Sequence, residues 1–166
     1  VKATEALLNF EGPVYLRLCG EAMTLWCINP IMFEIGKAIT LCEGADVTIV
    51  STGTMVYQSL QAAKKLAEQG IECTVINMHT IKPLDTNVLA KIADCKLVVT
   101  CEEGFDQGTG AAVAETLVQS GKKIPQMLLL GLTDFPHAGS YKYMLAQTGL
   151  DAQHIAEKIQ NKLADI

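Results

Sequence analysis

Arginine is almost absent: Arg17 is the sole one among 166 residues, and the formal net charge is −5. With no basic stripe to neutralise a phosphate backbone, nucleic acid is excluded as a partner. A phosphorylated ligand would have to be held by lysines, backbone N–H groups or another chain, because the planar guanidinium fork is missing. Aromatic residues are also sparse, at 5%, so the core is expected to be aliphatic. The longest strongly apolar run, MLLLGL at 127–132, is far short of the roughly 20 residues that span a bilayer. The opening VKATEALLNF lacks the basic-then-apolar pattern of a secretory signal. No membrane is expected as a partner. None of the six cysteines forms a C-x-x-C pair, and most sit in apolar runs, which fits a reduced, cytoplasmic protein. Neither G-x-G-x-x-G nor G-x-x-x-x-G-K-[ST] occurs, so Gly53 in STGTMV reads as a tight strand-to-helix turn more readily than as a nucleotide cradle.

What is present between residues 46 and 110 is a succession of strand-helix-strand crossovers. DVTIVS runs into a helix over roughly 55–69 with Val56, Leu60, Ala63 and Ala67 on one face and a left-handed cap at Gly70. Strand ECTVINM follows, and then Pro83 restricts Lys82 to extended geometry while Asp85 is placed to cap a helix carrying Val88, Leu89 and Ile92. KLVVT leads to Glu102 and Glu103; Gly108-Thr109-Gly110 opens another helix that stops at Gly121; Pro125 introduces the strand QMLLLGL. The end of the chain is helical over Tyr141–Gln147 and again after Asp151, with Ile155, Ile159 and Leu163 four apart. The pattern predicts an α/β domain of three layers, helix, mostly parallel sheet and helix. KAITL and DVTIVS flank Cys42-Glu43-Gly44-Ala45, a connection compatible with a hairpin that would add one antiparallel strand.

Before residue 33 the pattern is different. VKATEALLNF has helical spacing, Glu11-Gly12-Pro13 breaks it, and VYLRL reads as a strand. A lone helix and strand cannot bury their faces, so residues 1–18 read as the tail of another domain, 19–32 as a linker and 33–166 as the main domain.

In such sheets ligands sit at the carboxyl ends of the strands. The strand-end positions worth watching are Gly53, His79, Asp85, Glu102, Glu103 and Asp106, with Asp134 and His137 beyond the last strand. Their spacing matches no standard metal-ligand motif, and carboxylates in strand-end loops commonly cap helices. His79, before a Thr-Ile-Lys-Pro bend, reads as a hydrogen-bonded structural histidine, and His154 as a surface residue. Cys101, next to two glutamates, lacks the positive surroundings that activate a thiol. No position is assigned a catalytic, cofactor-binding or metal-binding role.

Taken in order, GPVYLRL, FEIGKAITLCEGADVTIVSTGTMV, LAEQGI, VINMHTIKPLD, VTCEE and GAAVAETL closely resemble the C-terminal part of transketolases, above all the small subunit of split bacterial transketolases. 1-Deoxy-D-xylulose-5-phosphate synthases and the beta subunits of 2-oxo acid dehydrogenases share this domain. The resemblance implies a five-stranded sheet, four strands parallel and one antiparallel, over the part of the chain from FEIGKAITL onward. It also implies ketol transfer between sugar phosphates in pentose phosphate carbohydrate metabolism, by a dimeric transferase that uses thiamine diphosphate and magnesium. The family builds that site from a diphosphate-binding domain and a pyrimidine-binding domain, so this chain would bind neither group and would serve assembly and stability. A reading of another class is a non-catalytic interaction or regulatory module. Two departures bear on it. Where the family continues Gly-Arg after VYLRL, this chain has Cys19-Gly20; where the family has Glu-Glu-His and Gly-Gly-x-Gly, it has Glu102-Glu103-Gly104 and Gln107-Gly108-Thr109-Gly110.

Overall fold

A computed structural model describes residues 2–18 and 32–166. The linker expected at 19–32, including Gly20, lies almost wholly outside the described residues. Twelve elements follow one another: α1 (Lys2–Leu7), β1 (Ile39–Cys42), β2 (Val47–Ser51), α2 (Met55–Ala67), β3 (Cys73–Asn77), α3 (Thr86–Lys91), a 3-10 turn (Ile92–Asp94), β4 (Leu97–Phe105), α4 (Thr109–Gln119), β5 (Gln126–Leu132), α5 (Tyr141–Thr148) and α6 (Ala152–Ala164).

The five strands form one sheet in the order β1-β3-β2-β4-β5. VTIVS is buried along its whole length, as expected of a strand covered on both faces, and it takes the centre. Parallel ladders join Val47 to Cys73 on one side and to Leu97 on the other, and β5 extends the parallel set from β4. Two apolar cores lie on opposite faces. One packs α2 and α6 on Val47, Ile49, Val75 and Val99, and the other packs α3 and α4 on Val50, Ile76 and Val98. The expected three-layer, five-stranded architecture with one antiparallel strand is the one observed.

Three local expectations are corrected. β1 does not form a hairpin with β2; it pairs antiparallel with β3, Ile39 opposite Asn77. The connection crosses the start of β3, because Gly44 lies against its backbone so closely that a Cβ there would fall 2.5 Å from the Cys73 nitrogen. Gly44 N–H donates to Thr74 Oγ1 at 3.0 Å, and that hydroxyl donates back to the Gly44 carbonyl at 2.8 Å. The buried face of α2 keeps the expected Val56 and Ala63 but is wider, taking in Met55, Ser59, Ala62 and Leu66, with Leu60 half-buried and Ala67 exposed. A hydroxyl at position 59 disguised the stripe: Ser59 Oγ lies 2.6 Å from Ser51 Oγ in the core, a satisfied polar pair that a hydrophobicity pattern omits. VYLRL is not a strand, since residues 14–18 join no ladder and an extended segment becomes a strand only beside a neighbour.

The helix ends fall where expected. Gly70 has φ +77° behind α2. Asp85 caps α3 and Asp151 caps α6. No helix among the described residues is long and apolar enough to cross a membrane.

Candidate functional site

The parallel strands all end at one edge, so the topology gathers His79, Gly53, Glu102, Glu103, Asp106, Asp134 and His137 along it in the strand order β3, β2, β4, β5. They share an edge without converging on a point. Most of the candidate carboxylates are instead engaged by backbone or side-chain donors of the domain itself.

Glu102 is only 7% exposed. One of its oxygens accepts from Gly110 N–H at 2.9 Å, and the other lies against Gly108 so tightly that a Cβ there would overlap it. Gly108 precedes α4 and Gly110 lies in its first turn, so the Glu102 carboxylate sits where the helix presents its positive end. The anion place at this helix is filled by the protein's own side chain. Glu103, next along the pleat, takes the opposite course: its Oε2 accepts from the Thr54 hydroxyl at 3.0 Å. Thr54 precedes α2 without capping it through its side chain, and thus ties β4 to the start of that helix. Sequence reasoning missed this role, because a threonine before a helix reads as a cap.

Gly53 is exposed, has φ +58° and turns β2 into α2. Asp85 lies beside the carboxyl end of β3, where it joins the start of α3 to the residue before β1. One oxygen accepts from the N–H groups of Asn87 and Val88, at 3.1 and 3.3 Å, and the other accepts from Ala38 N–H at 3.0 Å. The backbone N–H of Asp106 donates to the Leu132 carbonyl at 3.3 Å, which extends the contact between the β4 and β5 ends.

His79 stacks against Phe33 with ring centroids 4.3 Å apart, and its Nδ1 is 2.9 Å from Thr80 Oγ1. Its Nε2 is buried with no hydrogen-bond partner among the described residues. Burial pushes its pKa below the usual histidine range. Its Nδ1 makes the kind of hydrogen bond expected of this histidine, and a backbone contact with Lys37 opposes the downward shift. Asp134 and His137 are exposed and border a hollow of about 250 Å³ with Phe135 and Gln147. A second hollow of about 220 Å³ lies between Glu103, Arg17, Leu132, Tyr141, Met144 and Leu150. His154 Nδ1 lies 2.8 Å from Asp151 Oδ1 with its ring partly exposed. Burial pushes the thiols of Cys101 and Cys73 up to about 12, so neither is a ready nucleophile.

The donor set does not suit a metal-bound diphosphate. Among the described residues, no group of three or more His, Cys, Asp or Glu side chains could hold a metal ion, and the Gly110 N–H in the first turn of α4 already serves Glu102.

The family model described as transketolase, C-terminal domain, matches residues 36–155. The chain belongs to the transketolase C-terminal domain family. It is 37% identical over 154 residues to one of the subunits of the apulose-4-phosphate transketolase of Actinobacillus succinogenes, covering 90% of this chain and 49% of that protein. It is 42% identical over 159 residues to a 1-deoxy-D-xylulose-5-phosphate synthase of Thermomicrobium roseum, covering 92% of this chain and 25% of that one. Among solved structures, a split-gene transketolase described as an inactive beta4 tetramer superposes with a TM-score of 0.74 at 36% identity, over 81% of this chain and 44% of the other. This transketolase C-terminal domain chain thus spans half or less of the length of these relatives.

Proposed function

We propose that the chain is the C-terminal part of a thiamine-diphosphate-dependent transketolase subunit, and that it contributes assembly and stability while the catalytic groups reside elsewhere. The observation that carries this reading is the internal engagement of the edge carboxylates. Glu102 satisfies α4, Glu103 ties β4 to α2, and Asp85 caps α3. Groups consumed in this way are not left free to move protons or hold ions. The reaction of the whole enzyme is ketol transfer between sugar phosphates. The cofactor and magnesium are held by the pyrimidine-binding and diphosphate-binding parts, and the assembly is a cytoplasmic homodimer. Its partners are therefore those other domains or subunit, and residues 1–18 are the tail of the pyrimidine-binding domain. Similarity to a single subunit of the apulose-4-phosphate transketolase and to a split-gene transketolase supports the two-part arrangement. Among the described residues Cys42, Cys73, Cys95 and Cys101 are free thiols, which suits a reducing compartment.

The test is an assay of ketol transfer with thiamine diphosphate and magnesium, first with this chain alone and then with the remaining parts of the enzyme supplied. No turnover is expected from the chain alone, and turnover on reconstitution. Activity of the isolated chain would overturn the reading. A second reading, synthesis of 1-deoxy-D-xylulose 5-phosphate by the complete assembly, is favoured by the 42% identity to such a synthase. Product analysis with pyruvate and glyceraldehyde 3-phosphate separates the two.

A further inference from the structure

The hollow of about 220 Å³ is built from separate pieces of chain: Glu103 near the end of β4, Leu132 at the end of β5, Met144 on α5, Leu150 behind that helix, and Arg17 of the front segment. Two opposite charges therefore border one largely apolar hollow. They do not meet. Among the described residues the Arg17 guanidinium makes no ion pair or hydrogen bond. Glu103 commits one oxygen, Oε2, to the Thr54 hydroxyl, and no described residue donates to the other.

Size and charge together define what fits between them. The hollow is smaller than the roughly 300–1,000 Å³ of sites that take drug-sized ligands, so it admits a small metabolite only. A sugar phosphate would bring a second negative charge beside Glu103, a plain carboxylate would leave Glu103 unanswered, and a plain amine would leave Arg17 unanswered. A molecule that carries a carboxylate and an ammonium on one carbon, with an apolar tail, answers both charges and the wall. We propose that this hollow is a binding site for a free aliphatic α-amino acid, its carboxylate on Arg17, its ammonium on Glu103 and its side chain against Leu132, Met144 and Leu150. The guanidinium fork matches a carboxylate in two parallel hydrogen bonds. Arg17 belongs to the front segment and Glu103 to the sheet, so the bound amino acid joins the two and favours the arrangement in which they face each other. The site is independent of which reaction the complete enzyme performs.

Titration of the full chain with L-leucine, followed by NMR of the methionine methyl groups, tests the proposal. The Met144 methyl is expected to shift saturably, with a Kd on the order of 1 mM because one of the two charges is exposed and screened. Met55 and Met78, buried in the two cores, are expected to stay in place. Arg17→Ala and Glu103→Gln should each weaken leucine roughly fivefold, and the glutamine keeps an oxygen for Thr54. Two analogues separate the charges: 4-methylpentanoate lacks the ammonium and 3-methylbutylamine lacks the carboxylate, and each should bind roughly fivefold more weakly than leucine. Glu103→Gln should then cost the carboxylate nothing, and Arg17→Ala should cost the amine nothing, as a closed cycle requires. Absence of saturable binding, analogues that bind as tightly as leucine, or shifts at Met55 and Met78 equal to those at Met144 would overturn the proposal. So would tighter binding of ribose 5-phosphate at Met144, which would make the hollow an anion site.

Discussion

At the scale of single residues, the domain is governed by close approaches that admit no substituent. Glu102 is held between Gly108 and the Gly110 N–H, and both parts of that contact can be separated experimentally. Glu102→Ala leaves the Gly110 N–H without an acceptor in a buried place and is expected to cost about 1–3 kcal/mol in urea denaturation. Glu102→Gln keeps an acceptor oxygen and loses only the charge at the helix terminus, so its expected cost is about 0.3–1 kcal/mol. Equal losses from the two would mean that the charge, and not the hydrogen bond, holds the place. His79 gives a pH signature. Its folded pKa is depressed by burial below the ordinary value of 6.5, so between those two values the unfolded chain binds more protons than the folded one. Stability is therefore complete above about pH 6.5 and is lost as pH falls through the folded value. Urea midpoints should decline from pH 7 toward pH 5, and His79→Gln should flatten that decline. A decline unchanged in the variant would assign it to other groups.

At the scale of elements, capping is where sequence and structure agree best, because a cap depends on residues two or three positions away. Asp85 shows both what such reasoning reaches and where it stops. Its grip on Asn87 and Val88 was legible as a cap, while its second oxygen accepts from Ala38, 47 residues away, and no local signal announces that bond. Asp85→Ala should therefore cost more than a simple cap. About 1 kcal/mol is expected from the cap and about 1–3 kcal/mol from the stranded Ala38 N–H, whereas Asp151→Ala, whose Oδ1 accepts from the N–H of His154 within the same first turn, should lose about 1 kcal/mol. Thermal denaturation of the two variants checks the ranking, and a milder Asp85→Ala would sink it. The same limit explains the misread connection between β1 and β2. Two short apolar runs around a glycine satisfy a hairpin rule, yet Gly44 serves to let the chain cross the β3 backbone. That constraint comes from a segment nearly 30 residues further on. The candidate site was legible as a set of strand-end positions, since crossovers fix the edge. Which partners Glu102 and Glu103 take depends on the pleat and on helices set elsewhere.

At the scale of the whole molecule, burial among the described residues differs between those before 19 and those after 31. Both apolar cores are built from residues between Ala38 and Leu163, and α1 buries no residue at all. Leu8, Tyr15 and Leu18 are 82%, 88% and 75% exposed, a pattern that gives the front segment apolar faces without a core of its own. Among the described residues before 19, Arg17 borders the second hollow, and an exposed cation there is worth no more than about 1 kcal/mol. Phe33, by contrast, stacks on His79 and belongs to the main body. A chain beginning at Met32 should then fold by itself, since the remaining length lies within the usual range of a domain. Its unfolding should be one cooperative transition, with a midpoint within about 4 °C of the full chain, because about 1 kcal/mol moves a domain of this size by no more than a few degrees. It should also aggregate less on heating, having lost the exposed apolar side chains of residues 2–18. Differential scanning calorimetry and light scattering on the two chains decide the matter. A broad or strongly lowered transition in the shorter chain would mean that the front segment is part of the fold, and the division at the linker would be wrong.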